Sequence, residues 1–206
     1  MRKSLEAGLE SLSIPASEQQ VQTMLDYLAL LVKWNNTHNL TAITDSYAMV
    51  NQHILDSLSV LSAIKGPTLL DVGSGAGLPG MMLAIMRPDI QVSSIDTRGK
   101  KIQFQTLAAS SLGIENFHVI HSRVENYTAD VGFTQIISRA FSSLENFISW
   151  TKHLLADDGE WLAMKGQLPT EELEALKQSL SMSPITAEEL ELPNFIGERH
   201  LLTFKL

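Results

Sequence analysis

Leu69-Leu70-Asp71-Val72-Gly73-Ser74-Gly75-Ala76-Gly77-Leu78-Pro79-Gly80 is the stretch that decides the fold. An apolar run ends in an acid, four glycines follow within eight positions, and an apolar segment, Met81 to Met86, comes next. The pattern predicts a strand, a tight turn and the start of a helix. Glycine supplies φ > 0 and leaves no Cβ between main chain and ligand. The first N–H groups of a helix have no intrahelical partner and face whatever sits on such a turn. A nucleotide-like ligand lying against bare backbone is the expectation.

Gly75-x-Gly77-x-x-Gly80 also fits the dinucleotide fingerprint, a weak signal when it stands alone. Asp71 argues against a pyrophosphate, which it would repel, and suits a cationic or hydroxyl-rich ligand. Asp-x-Gly-x-Gly-x-Gly resembles the first motif of class I S-adenosylmethionine (AdoMet) methyltransferases. The bland reading is a glycine-rich turn without a ligand. It leaves four glycines ordered at an entropic cost and without a use.

Outward from this loop, the chain alternates. Thr68–Val72, Gln91–Ile95 (ending at Asp96), Phe117–Ile120, Gln135–Ile137 and Trp161–Met164 read as strands. Helices are expected near Pro79–Met86, Gly99–Leu112, Ser143–Leu155 and Thr170–Ser179. The alternation implies a parallel α/β sheet. Ile185–Leu192 and His200–Lys205 read as a final antiparallel pair at the sheet edge. Before Gly66-Pro67 the chain reads as helical: residues 1–13, then a helix opened by a capping box at Ser17-Glu18-Gln19-Gln20 and running to about Asn35, then Ser46 to Ile64. The expected architecture is a Rossmann-like, mostly parallel seven-stranded sheet with an antiparallel edge strand. Residues 1–206 form one domain, with 1–65 a helical extension packed on the 66–206 core.

The 206 residues are 44% hydrophobic and 18% charged, an ordinary globular balance. No apolar run approaches the ~20 residues of a membrane span. Met1-Arg2-Lys3-Ser4-Leu5-Glu6 turns acidic at once and lacks an apolar signal core, so a cytoplasmic protein is expected. Cysteine is absent, which removes disulfides, thiolate metal sites and the thiolate nucleophile used in pyrimidine C5 methylation. No metal-ligand cluster is legible. Nothing demands more than a monomer. The net charge of −8 argues by itself against nucleic acid. The distribution qualifies that: residues 157–191 hold nine acids against two lysines, whereas Arg98, Lys100, Lys101, Arg123, Arg139, Lys165 and Arg199 gather near the expected site.

In a doubly wound sheet, ligands bind beyond the carboxyl ends of the strands. Polar residues sit there after each apolar run: Asp96, Ser122-Arg123-Val124-Glu125, Ser138-Arg139-Ala140-Phe141 and Lys165-Gly166. Asp96, 21 residues after Gly75, fits a ribose acceptor or a helix cap. Val124 and Glu125 fit the border of an adenine or an ordinary loop. Arg123 and Arg139 offer planar forks for phosphate, carboxylate or a guanine edge, or a structural salt bridge with Glu125 or Asp71. His53, on a helix, reads as a satisfied histidine or a functional one. No Asn/Asp-Pro-Pro-aromatic motif follows the fourth strand, and no obvious base appears. A ring nitrogen such as guanine N7 carries a lone pair and needs neither, so transfer to it can rest on positioning and electrostatics.

Taken together, His53-Ile54-Leu55-Asp56-Ser57, the glycine loop, Ser122–Glu125, Ile137-Ser138-Arg139-Ala140, Lys165-Gly166-Gln167, Gly197-Glu198-Arg199-His200 and Lys33-Trp34-Asn35…Asn39-Leu40-Thr41 resemble the bacterial 16S rRNA guanine-N7 methyltransferase family RsmG, formerly GidB, over nearly the whole chain. The resemblance implies AdoMet as cofactor, with Gly73, Gly75, Leu78, Val124, Glu125 and Arg139 as contacts and Asp96 on the ribose. It implies catalytic groups among His53, Arg123, Arg139 and Lys165, and RNA contacts at Lys100, Arg123, Lys165 and Arg199. The partner implied is 16S rRNA or the small ribosomal subunit. The rival readings are an NAD(P)-dependent oxidoreductase, a small-molecule methyltransferase on the same fold, and a non-catalytic RNA-binding protein that keeps the pocket.

Overall fold

The structure, a computed structural model, describes residues 1–139, 141–193 and 197–206. Seven strands form one sheet: β1 (Thr68–Val72), β2 (Gln91–Asp96), β3 (Phe117–His121), β4 (Phe133–Ser138), β5 (Leu155–Lys165), β6 (Thr186–Glu189) and β7 (His200–Lys205). Their spatial order is β3-β2-β1-β4-β5-β7-β6. β1 to β5 are parallel, β7 is antiparallel to β5, and β6 is antiparallel to β7. The expected antiparallel pair is therefore present at the edge, with β7 one place in from it. Burial explains the order. Leu201 to Phe204 of β7 are buried, while Thr186 to Glu189 of β6 are all exposed, so the acidic strand takes the solvent side.

Alternation along β1 separates two cores. Leu69 joins the face covered by α5 (Gly80–Met86), α6 (Gly99–Leu112) and the N-terminal helices α1 (Arg2–Ser11) and α2 (Glu18–His38); Leu70 and Val72 join the face covered by α7 (Leu144–Thr151) and α8 (Thr170–Leu180). The N-terminal helices contact the sheet layer directly: Gln20 Nε2 donates to Ile85 O at 3.1 Å, and Tyr27 Oη donates to Ala76 O at 2.8 Å. The Ser17 capping box forms as expected.

Several boundaries differ from the sequence reading. α2 continues past Asn35 to His38, because Trp34 stacks on His38 with ring centroids 4.8 Å apart, and Asn39 at φ +48° ends it. The segment 46–64 is not one helix. α3 (Ser46–Met49) passes through a π turn (Val50–Leu55) into α4 (Asp56–Leu58), and a 3-10 turn follows (Leu61–Ala63). β4 and β5 are longer than their apolar centres. Phe133 pairs with Leu155 across an irregularity, which draws the polar residues Asp157, Asp158 and Gly159 into β5.

Candidate active site

The reversal of strand order falls between β1 and β4, so a crevice opens at their carboxyl ends. The glycine loop crosses it. Gly73, Gly75 and Gly77 have φ of +69°, +62° and +89°, values that L side chains rarely adopt. Polar groups hold the loop from beneath. Gln105 Nε2 donates to Ser74 Oγ at 2.9 Å and to Gly75 O at 2.8 Å, and buried Ser94 reaches Gln105 Oε1 at 2.6 Å. Tyr27 of α2 holds Ala76 O. The ligand surface is therefore fixed by residues up to 49 positions away.

Asp71, read from sequence as suited to a cationic or hydroxyl-rich ligand, lines neither cavity described below. Its side chain is fully buried, and Oδ2 accepts from Gly80 N at 2.7 Å, while Oδ1 has no partner among the described residues. Burial pushes this carboxyl up to about 7, against the opposing pull of the Gly80 N–H and the Arg139 charge. The acid closes the loop onto α5 and takes up the N–H that a pyrophosphate would have used.

A cavity of about 530 Å³ opens on the α7 side of the loop, within the roughly 300–1,000 Å³ range of small-molecule sites. Gly73, Asp96, Val124 and Glu125, four of the residues that the resemblance implies as cofactor contacts, line it. A Cβ on Gly73 would meet nothing within 4 Å, so this backbone faces open space. Asp96 Oδ2 accepts from Gly75 N and Oδ1 from Arg98 N, both at 2.9 Å. A carboxylate has about four acceptor sites, so these bonds fix its orientation and leave capacity for a diol. The arrangement fits a nucleoside: bare backbone, an oriented acid and an apolar wall. Gly75 and Leu78 do not line this cavity; Gly75 orients Asp96, and Leu78 is buried within the core. Phe141, in the strand-end segment read from sequence, forms a wall with Trp150, their ring centroids 5.6 Å apart; sequence reasoning missed Trp150, whose position on α7 carries no motif. Lys101 is the lysine at this cavity, while Lys100 is expected from sequence as an RNA contact and not as a cofactor contact. Lys100 is exposed on α6 and lines neither cavity.

A second cavity, about 270 Å³, lies between the N-terminal helices and the ends of β4, β5 and β7. It brings together His53, Arg139, Lys165 and Arg199, four residues chosen from sequence, and adds Asp56 and Gln52. Arg139 Nη1 donates to Asp56 Oδ2 at 3.0 Å, and Arg199 Nε donates to Asp56 Oδ1 at 2.6 Å. The carboxylate that pairs with Arg139 is thus neither Glu125 nor Asp71. Lys165 Nζ lies 2.9 Å from Glu172, whose Oε2 also accepts Leu144 N at the start of α7. His53 is buried; Nδ1 lies 3.1 Å from Gln52 O and Nε2 3.0 Å from Thr41 Oγ1. Burial and the nearby Arg139 charge lower its pKa to about 4, so the ring is neutral at pH 7 and both nitrogens are engaged. Arg123 stands apart, largely exposed at the first cavity's rim, 3.7 Å from Glu125.

The two cavities open at adjacent strand ends without a shared lining residue, and Arg139, expected from sequence as a cofactor contact, lines only the second. Asp71 is in register with Ile137, and Ser138 Oγ donates to Val72 O at 2.9 Å. Gly73 and Arg139 are therefore the next residues out on neighbouring parallel strands, whose spacing is about 4.8 Å. Ala140, part of the quoted strand-end motif, lies outside the described residues.

Comparison with known proteins agrees with this geometry. The model of the family described as rRNA small subunit methyltransferase G (GidB) matches residues 20–202. Ribosomal RNA small subunit methyltransferase G of Pseudomonas syringae pv. tomato is 47% identical over 203 residues, which is 98% of this chain and 95% of that protein. Its namesake from Methylobacillus flagellatus is 47% identical over 202 residues, 98% and 97% of the two chains. The crystal structure of a SAM dependent methyltransferase from Aquifex aeolicus superposes with a TM-score of 0.57 at 18% identity, covering 76% of this chain and 92% of that one, a likeness of fold. With the match extending over nearly its full length, the chain belongs to the rRNA small subunit methyltransferase G (GidB) family.

Proposed function

We propose that this chain transfers a methyl group from AdoMet to N7 of a guanine in 16S rRNA of the small ribosomal subunit. AdoMet supplies an electrophilic methyl group when it is bound. Gly73, Asp96, Val124 and Glu125 hold its nucleoside half in the larger cavity, and Phe141 and Trp150 form one wall of that cavity. Gly75 and Leu78 support the loop. Arg139 lines the second cavity, on the strand beside the one that leads to Gly73, where it is placed to orient the acceptor.

One observation carries the acceptor. The second cavity is lined by arginines and a lysine, yet its acid and its imidazole are both committed to bonds: Asp56 to Arg139 and Arg199, His53 to Gln52 and Thr41. Such a site is arranged to orient a base and is poorly placed to remove a proton. A guanine N7 lone pair needs no deprotonation. Its neighbour O6 is an acceptor that suits an arginine fork, and the two atoms together form the guanine edge arginine reads best. His53 then acts through Thr41 and the Gln52 carbonyl. Lys165, Arg199, Arg123 and Lys100 contact RNA phosphates, which makes binding weaken as salt rises.

The reading also sets the context. The chain acts as one domain, residues 1–65 packed on 66–206, as a monomer without a metal, in the cytoplasm. The Tyr27–Ala76 and Gln20–Ile85 contacts support the first of these, and no described helix is long and apolar enough to cross a membrane. The capture of Gly80 N by Asp71 disfavours the NAD(P) alternative. The test is to map aniline-cleavable N7-methylguanosine in rRNA from cells with and without this protein. Loss of one 16S rRNA site is expected. An unchanged methylation map overturns the reading.

A further inference from the structure

Asp56 joins two arginines that lie 83 and 143 residues away in sequence. Arg139 leaves the end of β4, and Arg199 precedes β7. The Asp56 side chain is 1% exposed, while the two arginine side chains are 24% and 26% exposed. The carboxylate is thus enclosed, and the guanidiniums reach from it into the second cavity.

The backbone before Asp56 is shaped for the same purpose. In the π turn, Asp56 N donates to Asn51 O, five residues back, and to His53 O, and does not reach Gln52 O. The Gln52 carbonyl accepts from Arg139 Nη1 at 3.2 Å instead. Single π turns inside helices are frequent at functional sites. Here the turn converts a helical carbonyl into a second acceptor for Arg139. His53 Nδ1 lies 3.1 Å from the same oxygen, which gives the neutral histidine a place in the arrangement.

Building on the methyl-transfer reading above, we infer that Asp56 is the positioning residue of the acceptor cavity. It holds the Arg139 and Arg199 guanidiniums side by side and does not touch cofactor or base. Two cations in one small cavity repel each other, and each arginine side chain has many rotamers to lose. The shared carboxylate offsets the repulsion and orders both forks before RNA arrives, so little freedom is lost on binding. The rival role is a staple that only ties the N-terminal helices to the sheet. The two roles separate by experiment.

Asp56→Asn keeps the shape and removes the charge. With small ribosomal subunits as substrate, its kcat/KM is expected to fall at least ~tenfold, with AdoMet affinity by calorimetry within about twofold of wild type, since the cofactor cavity does not include Asp56. The Arg199 Nε–H resonance is expected to exchange slowly in wild type, where it is bonded to Asp56, and rapidly in the variant. Asp56→Asn/Arg199→Gln is expected to be no worse than the poorer single variant, because both remove one device. A folded Asp56→Asn protein with wild-type kcat/KM overturns the inference. So does a loss of kcat/KM matched by equal losses of AdoMet affinity and melting temperature, the signature of a staple. If Asp56→Asn does not fold, Asp56→Glu decides: it keeps the charge and displaces both guanidiniums, so an unchanged kcat/KM overturns the inference, and a tenfold loss at constant AdoMet affinity supports it. Absence of transfer by the wild-type chain counts against the methyl-transfer reading alone, while the Arg199 Nε–H signal still tests the clamp.

Discussion

Asp71 Oδ2 accepts the Gly80 N–H at 2.7 Å, so the acid that opens the glycine loop also closes it. This bond places a carboxyl in a fully buried site with one oxygen unpartnered among the described residues. The same part of the molecule buries a neutral histidine, His53. Both groups sense Arg139, and their ionisations move in opposite directions.

Their linkage to stability has opposite signs. Asp71 rises to about 7 in the folded protein, above its ordinary value of 3.8, so the native state holds more protons between those pH values. Its contribution is greatest below pH 4 and is lost as pH climbs to about 7. His53 falls from 6.5 to about 4, so its contribution is present above pH 6.5 and lost as pH drops toward 4. The two slopes oppose each other between about pH 4 and 6.5. Asp71→Asn should make the melting temperature rise with pH across that window more steeply than in wild type. His53→Gln should leave a melting temperature that falls with pH. Thermal scans of both variants from pH 4 to 8 check this, and parallel wild-type and variant curves would refute it.

Gly73→Ala tests the cofactor surface. The residue sits at φ +69° and its Cβ would project into open space rather than into protein. The left-handed backbone alone costs an alanine roughly 1–2 kcal/mol. The methyl group would also occupy the approach to the cofactor. AdoMet affinity should fall ~tenfold or more while the fold persists, as calorimetry and circular dichroism would show.

Arg139→Ala tests the second cavity. The variant loses the guanidinium that reaches Asp56 and the Gln52 carbonyl. Transfer to ribosomal RNA should drop by about 10²-fold, the usual scale when a substrate is mispositioned by an ångström. Arg139→Lys keeps the charge without the planar fork and should recover only part of the loss. Near-normal turnover of the alanine variant would remove Arg139 from the site.

Lys100 and Lys101 should separate cleanly. Lys101 lines the larger cavity, and its Nζ lies 3.3 Å from where a Gly75 Cβ would stand. Lys101→Met should weaken AdoMet binding. Lys100 is exposed on α6, so Lys100→Ala should leave AdoMet binding unchanged and reduce the salt slope of RNA binding by about one unit. Filter binding across a salt series, alongside calorimetry, distinguishes the two.

Local chemistry determined much of this protein. The run from Leu69 to Gly80 specifies strand, turn and helix because φ > 0 at three close positions demands glycine. The alternation after Gly66-Pro67 specifies a parallel sheet, and residues that line the two cavities follow from it at the strand ends: Asp96, Val124, Glu125, Arg139 and Lys165. Pairings across long separations were not legible. Asp71 looks like a ligand contact from its position, and only the packing of α5 on β1 turns it inward to Gly80. Lys100 and Lys101 are equivalent in sequence, and the rotation of α6 chooses between them. Asp56 reads as an ordinary helical acid. It becomes the seat of two arginines because a π turn and the ends of β4 and β7 converge on it, and no local pattern encodes that convergence.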